Sequence, residues 1–173
     1  VYTGGRGCHT RKHARRITVN ALKELANVAY DLDVTLALEP VHVGCEVGWS
    51  FVHGVDDALA MLEEVGSDSL KLVFDTYHLG AEENIVERLP NLVKHIALVH
   101  LGDAKAPPCG EQNRCKLGEG ILPLQEILTT LDQVGYGGFC EIELLGEEIE
   151  DVDYVELLRD SIAAVQQIVK VAS

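Results

Sequence analysis

Four short apolar runs, each stopping at a residue that can bear charge or ligate a cation, set the frame for this chain. They are Leu36-Ala37-Leu38-Glu39-Pro40, Leu70-Lys71-Leu72-Val73-Phe74-Asp75, Ile96-Ala97-Leu98-Val99-His100 and Cys140-Glu141-Ile142-Glu143-Leu144. Runs this short, mostly apolar and rich in β-formers, read as buried strands. Helix-like stretches separate them, and such alternation calls for a parallel sheet joined by right-handed crossovers. A charged group at the end of a buried strand is costly unless it is paired or holds a cation. In α/β proteins the rim outside the carboxyl ends of the strands is also where ligands bind. Glu39, Asp75, His100 and Glu143 are therefore the candidate site residues. Glu141 shares the side-chain parity of Glu143, and Glu143 is preferred because it lies nearer the strand's carboxyl end.

Taken in order, 1–12 is rich in glycine and basic residues and reads as a loop, a rim segment that could meet an anionic substrate or simply be solvated. Apolar residues at Ile17, Ala21, Leu25, Val28, Ala29 and Leu32 have helical spacing and predict a helix over 14–32. A strand follows over 34–39, halted by Pro40. The segment 41–52, with Gly44, Gly48 and Trp49, reads as a loop. Helix resumes near Val55, with Ala58, Leu59, Leu62 and Val65 on one face and Gly66 as its stop. After the strand ending at Asp75, a helix is expected over 82–93, ended or kinked by Pro90. The strand 96–101 gives way to a long loop over 102–120, a length usual for functional loops. A helix over 122–134, a strand over 139–144 and a last helix over 152–171 complete the pattern. The expectation is one domain spanning 1–173, with four strands and about five helices.

Composition narrows the function. A formal net charge of -14 over 173 residues argues against a phosphate-backbone binder, which needs Lys and Arg to displace counterions. No apolar run approaches the length of a membrane span. Five cysteines form no CxxC pair, and Cys109 and Cys115 have a spacing foreign to common zinc sites, so free thiols in a reducing cytoplasm are expected. The chain opens on Val1 rather than Met, and Val1-Tyr2 reads as the tail of a strand already under way. A fragment, or a chain processed upstream, is the expectation.

Three carboxylates brought together repel one another and raise their own pKa values unless a cation sits among them. Oxygen donors plus one imidazole suit a single Mn²⁺, Mg²⁺ or Co²⁺ better than zinc. Any one of these acids could instead cap the following helix or pair with a nearby Lys or Arg. Four in register, one per strand, favour the shared cation. His78, just past Asp75, stands on the same rim. His42 is three residues beyond Glu39, and a site role for it is not favoured. His9, His13, His53 and His95 are expected at the surface.

These residues carry a resemblance. Leu36-Ala37-Leu38-Glu39-Pro40, Phe74-Asp75-Thr76-Tyr77-His78, Val99-His100-Leu101-Gly102-Asp103, Leu117-Gly118-Glu119-Gly120 and Gly138-Phe139-Cys140-Glu141-Ile142-Glu143 resemble the xylose isomerase-like TIM-barrel superfamily, and within it the sugar phosphate isomerase/epimerase group. The likeness spans nearly the whole chain. It implies a TIM (βα)8-barrel type of α/β fold, of which this chain matches the last four strands and the helix before them: a partial barrel. It implies one divalent metal held by Glu39, Asp75, His100 and Glu143, with His78 binding substrate oxygens. It further implies that Glu39 and Glu143 move a carbon-bound proton through an enediolate. The epimerases place an arginine six residues after the third ligand, where this sequence has Ala106, and Lys105 and Arg114 are the stand-ins.

The expected activity is that of a metal-dependent isomerase or epimerase acting on a small ketose, hydroxyketo acid or cyclitol, without nucleic-acid or membrane partners. Two rivals stand beside it. An AP-endonuclease-like metal hydrolase of the same fold would need more histidines and a polyanion site. A truncated half-barrel would be catalytically incomplete until another chain, or missing N-terminal strands, closed it. Open sheet edges and an uncovered apolar face also predict self-association.

Overall fold

The computed structural model describes residues 1–45 and 48–171. Its elements are α1 (Arg11–Asp31), β1 (Leu36–Leu38), α2 (Gly54–Val65), β2 (Leu70–Asp75), α3 (Thr76–Leu79), α4 (Ile85–Leu92), a 3-10 turn (Val93–His95), β3 (Ile96–Leu101), α5 (Leu124–Gln133), β4 (Phe139–Ile142) and α6 (Tyr154–Val171). The four strands form one sheet in the order β1-β2-β3-β4. Every pairing is parallel. Among the described residues there are six helices rather than about five, because one turn, α3, follows β2 directly. Its cause is local: the Asp75 carboxylate accepts the Tyr77 N–H at 2.7 Å and so caps that turn.

Register aligns the polar strand ends. Asp75 lies opposite His100, and His100 opposite Glu141. Beyond the last assigned pair, the Glu143 N–H donates to the Leu101 carbonyl at 3.0 Å, which carries the alignment one step further. The strand ends are locked from behind by Thr76, whose buried hydroxyl donates to the Gly102 carbonyl at 2.6 Å.

The core sits behind the sheet. β2 buries Leu70, Leu72, Val73 and Phe74. Val55, Ala58, Met61, Leu62 and Val65 of α2 pack there, with Ile85, Leu89 and Leu92 of α4 and Leu124, Ile127, Leu128 and Leu131 of α5. Gly66 ends α2 with a left-handed φ of 69°, its N–H returning to the Leu62 carbonyl. α4 contains Pro90 and stops two residues later, passing into the 3-10 turn. That matches the physics of a ring that removes a donor and crowds the preceding turn.

Two expectations change at the ends of the sheet. α1 starts at Arg11, with Thr10 accepting the His13 N–H, and so claims residues expected to be loop. Of the six apolar positions that defined this helix by spacing, only Ala29 is buried. The core face is Ala14, Val19, Leu22, Ala26 and Ala29, while Ile17, Leu25, Val28 and Leu32 stand exposed. α1 carries two apolar stripes, and periodicity alone does not say which one meets the sheet. β4 is the second change. It is shorter than 139–144 and is not a buried strand: Phe139 is 80% exposed, and Cys140 and Glu141 are exposed too. Among the described residues it is an edge strand with no neighbour on its outer side. α6 repeats the theme, with Val155, Leu158 and Ile162 exposed. At the opposite edge, the Val1 carbonyl accepts the Glu39 N–H at 3.0 Å, so the first residue runs alongside β1. No described helix is long and apolar enough to cross a membrane.

Candidate metal centre

Each candidate stands at a strand end for a local reason. Glu39 follows β1 and is turned inward as Pro40 stops the strand. Asp75 ends β2, and His100 sits one residue before the end of β3. Glu143 follows β4, oriented by its backbone bond to Leu101. One donor atom from each of Glu39, Asp75, His100 and Glu143 lies within 4.8 Å of every other. Glu39 and Asp75 are buried, while His100 and Glu143 are partly buried.

The donors crowd together rather than pairing off. His100 Nδ1 is 2.9 Å from Glu143 Oε2 and 3.3 Å from Glu39 Oε1. Neither contact has hydrogen-bond geometry, so His100 Nδ1 and Glu39 Oε1 are both buried without a hydrogen-bond partner. Buried orphan donors and acceptors are rare and costly. Two of them within a group of four donors 4.8 Å or less apart fit a small divalent cation, whose oxygen and nitrogen ligands need bonds of about 2.0–2.6 Å.

Electrostatics tell the same story. The Glu143 and Glu39 carboxylates push the His100 imidazole up to about 10, against the effect of burial. Burial raises the Asp75 carboxyl, opposed by Arg114 and reinforced by the charges of Glu143 and Glu39. For Glu143, burial acts upward but is outweighed by His100 and Arg114, and the carboxyl falls below its ordinary range. His78 goes the other way: burial, helped by Arg114, lowers it to about 3, so its ring is neutral. Its Nδ1 accepts the His42 N–H at 3.3 Å, while its Nε2 lies 3.9 Å from Asp75 Oδ2 and has no hydrogen-bond partner. That leaves a neutral, buried nitrogen free on the rim.

Asp75 does more than stand at the rim. Its Oδ1 caps α3, and its Oδ2 meets Arg114 Nη2 at 2.6 Å. The capping and ion-pair roles that an isolated acid would satisfy are thus both present, alongside the shared cluster. Arg114 reaches in from the 102–120 loop, fully buried, and also lies 3.2 Å from Glu143 Oε2. Its guanidinium rests 4.4 Å from the Tyr77 ring centroid and donates to Gln112. Lys105, the other stand-in, points away and pairs with Glu148 at 2.6 Å.

Sequence reasoning missed two residues. The phenol of Tyr2 is pushed up by burial and by Glu39, Glu143 and Asp75, which places it beside the cluster. Its ring meets Trp49 edge-on, with centroids 6.0 Å apart. Its sequence signal is that 1–2 reads as a strand tail. Asp103 is the second. It is buried, and its carboxylate accepts the N–H groups of Ala104, Gly118, Gly120 and Leu122 at 2.8–3.4 Å, folding the loop that delivers Arg114. Of the histidines expected at the surface, His9 is exposed. His13, His53 and His95 are half-buried, and His53 is tied by its Nδ1 to the Val41 carbonyl at 3.0 Å.

The chain is 28% identical over 154 residues to an inosose isomerase of Halalkalibacterium halodurans, covering 86% of this chain and 53% of that protein. It is 29% identical over 130 residues to a D-psicose 3-epimerase of Enterocloster bolteae, covering 75% of this chain and 40% of that protein. The chain thus spans about half the length of these relatives. Among solved structures, the IOLI protein with a bound zinc atom superposes with a TM-score of 0.80 at 23% identity, over 98% of this chain and 61% of that one. A family model described as xylose isomerase-like TIM barrel matches residues 1–168. The parallel α/β sheet and the matched motifs therefore make this chain a member of the xylose isomerase-like TIM-barrel family.

Proposed function

We propose that residues 1–173 form the carboxyl-terminal half of a (βα)8 barrel that isomerises or epimerises a small ketose, hydroxyketo acid or cyclitol with the help of one divalent metal ion. The observation that carries this reading is the set of four donors, one from each successive strand end, within 4.8 Å of one another and with two of them orphaned. Glu39, Asp75, His100 and Glu143 would hold the ion. Bound there, it would supply Lewis-acid stabilisation of the charge on adjacent substrate oxygens, a term of several kcal/mol.

The chain's own residues do the rest. Glu39 and Glu143 reach the cluster from β1 and β4, the two outermost strands, so they approach a substrate from opposite sides. One removes the carbon-bound proton and the other returns it, giving the enediolate a choice of face, which is general acid–base catalysis. His78, neutral and with a free Nε2, is placed to hold a substrate oxygen. Arg114 lies against the same carboxylates, its Nη2 donating to both Asp75 and Glu143. Manganese, magnesium and cobalt suit this oxygen-rich set. The zinc in the IOLI protein makes zinc the fourth ion to test. Five free thiols suit a reducing cytoplasm.

The exposed edge of β4 and the outer apolar stripes of α1 and α6 favour a companion reading: the rim needs further strands, in the same polypeptide or another, before it turns over substrate. The test is direct. Metal-stripped protein is titrated calorimetrically with each of the four ions, and the loaded protein is then offered ketoses and keto-cyclitols in D₂O. One-to-one binding and deuterium incorporation at the carbon next to the carbonyl are expected, with Glu143→Gln binding substrate but exchanging nothing. Absence of any divalent binding would sink the reading, as would full exchange by Glu143→Gln. Binding without exchange, restored by an added amino-terminal half, would establish the companion reading.

A further inference from the structure

We propose that Arg114 is the resident counter-cation of the carboxylate cage, setting its net charge so that a divalent ion, and no more, completes it. The proposal rests on the metal-binding reading above and concerns how that site is regulated. Three carboxylates, Glu39, Asp75 and Glu143, share donor atoms within 4.8 Å. Against them stands one permanent positive charge, the Arg114 guanidinium, which is not lost at any ordinary pH. Its Nη2 bridges Asp75 Oδ2 at 2.6 Å and Glu143 Oε2 at 3.2 Å, with the Arg114 and Asp75 side chains fully buried. Three negative charges and one guanidinium leave a deficit of two, which a divalent ion fills with His100 neutral.

The placement is built rather than incidental. The Tyr77 ring lies beneath the guanidinium and Gln112 accepts from its Nη1, while the Arg114 N–H is anchored on the Leu145 carbonyl at 2.9 Å. Gly102 leaves the space that the side chain crosses: a Cβ there would stand 2.8 Å from Arg114 Nε and 2.9 Å from Cδ. A buried guanidinium in this position has two opposed effects. Without metal it relieves repulsion among the carboxylates and keeps the site folded. With metal it is a like charge beside the ion and weakens its hold, so the site releases and exchanges ions more readily than a bare three-carboxylate cage would.

The experiment compares wild type, Arg114→Lys and Arg114→Met by Mn²⁺ calorimetry and by thermal unfolding with and without Mn²⁺. Arg114→Met should melt lower than wild type without metal, gain more from Mn²⁺ than wild type does, and bind Mn²⁺ about tenfold more tightly. Arg114→Lys, which keeps the charge, should track wild type in affinity. An arginine that merely orients Asp75 would behave oppositely, its loss weakening metal binding by about 10–100-fold. Unchanged or weaker Mn²⁺ binding by Arg114→Met therefore overturns the proposal. Arg114→Gln, which retains one donor for Asp75, takes the place of Arg114→Met if the latter yields no folded protein. Failure of both to fold in millimolar Mn²⁺ also overturns it, since the ion should substitute for the missing charge. If wild type binds no Mn²⁺, the metal-site reading itself fails. If wild type binds and the variants bind no better, only the counter-cation role fails.

Discussion

The Thr76 hydroxyl donates to the Gly102 carbonyl at 2.6 Å and accepts the Gly102 N–H at 2.9 Å, tying the end of β2 to the end of β3. One side chain thereby satisfies two buried backbone groups and fixes the spacing between Asp75 and His100. Thr76→Val keeps the shape and leaves both Gly102 groups unpaired. A loss of about 2–3 kcal/mol is expected in urea unfolding, since each orphaned buried group costs about 1–3 kcal/mol. Divalent binding should weaken in parallel, because the two strand ends are no longer held in register.

Gly120→Ala tests the loop that carries Arg114. A Cβ at this position would lie 2.0 Å from Asp103 Oδ1 and 2.5 Å from the Ala104 carbonyl, the latter a backbone atom that cannot swing away. Asp103 would have to leave the four N–H groups it now accepts. A cost of about 3 kcal/mol is expected from overpacking. Limited proteolysis should show new cleavage within 102–120, and an intact loop in this variant would refute the role given to Asp103.

The pH dependence of the metal-free protein follows from His100. Its folded value of about 10 lies above the ordinary 6.5, raised by Glu143 and Glu39. The stabilising charge interaction is complete below about pH 6.5 and is lost as pH rises through 10. Metal-free stability should therefore fall across that window, and His100→Asn should flatten the profile. Metal binding should respond in the opposite sense and strengthen as pH rises, because an imidazole must shed its proton to ligate. Chemical unfolding and calorimetry at a series of pH values measure both trends.

Phe139 in β4 is 80% exposed on a sheet edge, and among the described residues Val155, Leu158 and Ile162 of α6 are exposed as well. An open edge beside an apolar face invites association. The 173-residue chain is expected to self-associate in sedimentation, and Phe139→Lys to shift it toward monomer. A monodisperse wild-type monomer would count against this.

The local pattern alone determined the alternation of strands and helices, the parallel sheet, and the placement of Glu39, Asp75, His100 and Glu143 at strand ends. Such features depend on periods of 2 and 3.6 residues and on turn formers, which act over a few neighbours. The sequence could not reveal which stripe of α1 faces inward, because Ile17, Leu25 and Val28 are as apolar as Val19 and Leu22, and only packing against the sheet chooses between them. Nor could it show that β4 is an exposed edge, which depends on what lies beside it. Arg114 reaches Asp75 across 39 positions of chain, and Tyr2 comes beside Glu39 because the first residue runs alongside β1. Contacts of that range are set by how the loops fold over the rim, and charge and burial there are properties of the assembled site rather than of any one residue. The tertiary structure therefore decided how the cage is charged, while the sequence had already decided where its walls stand.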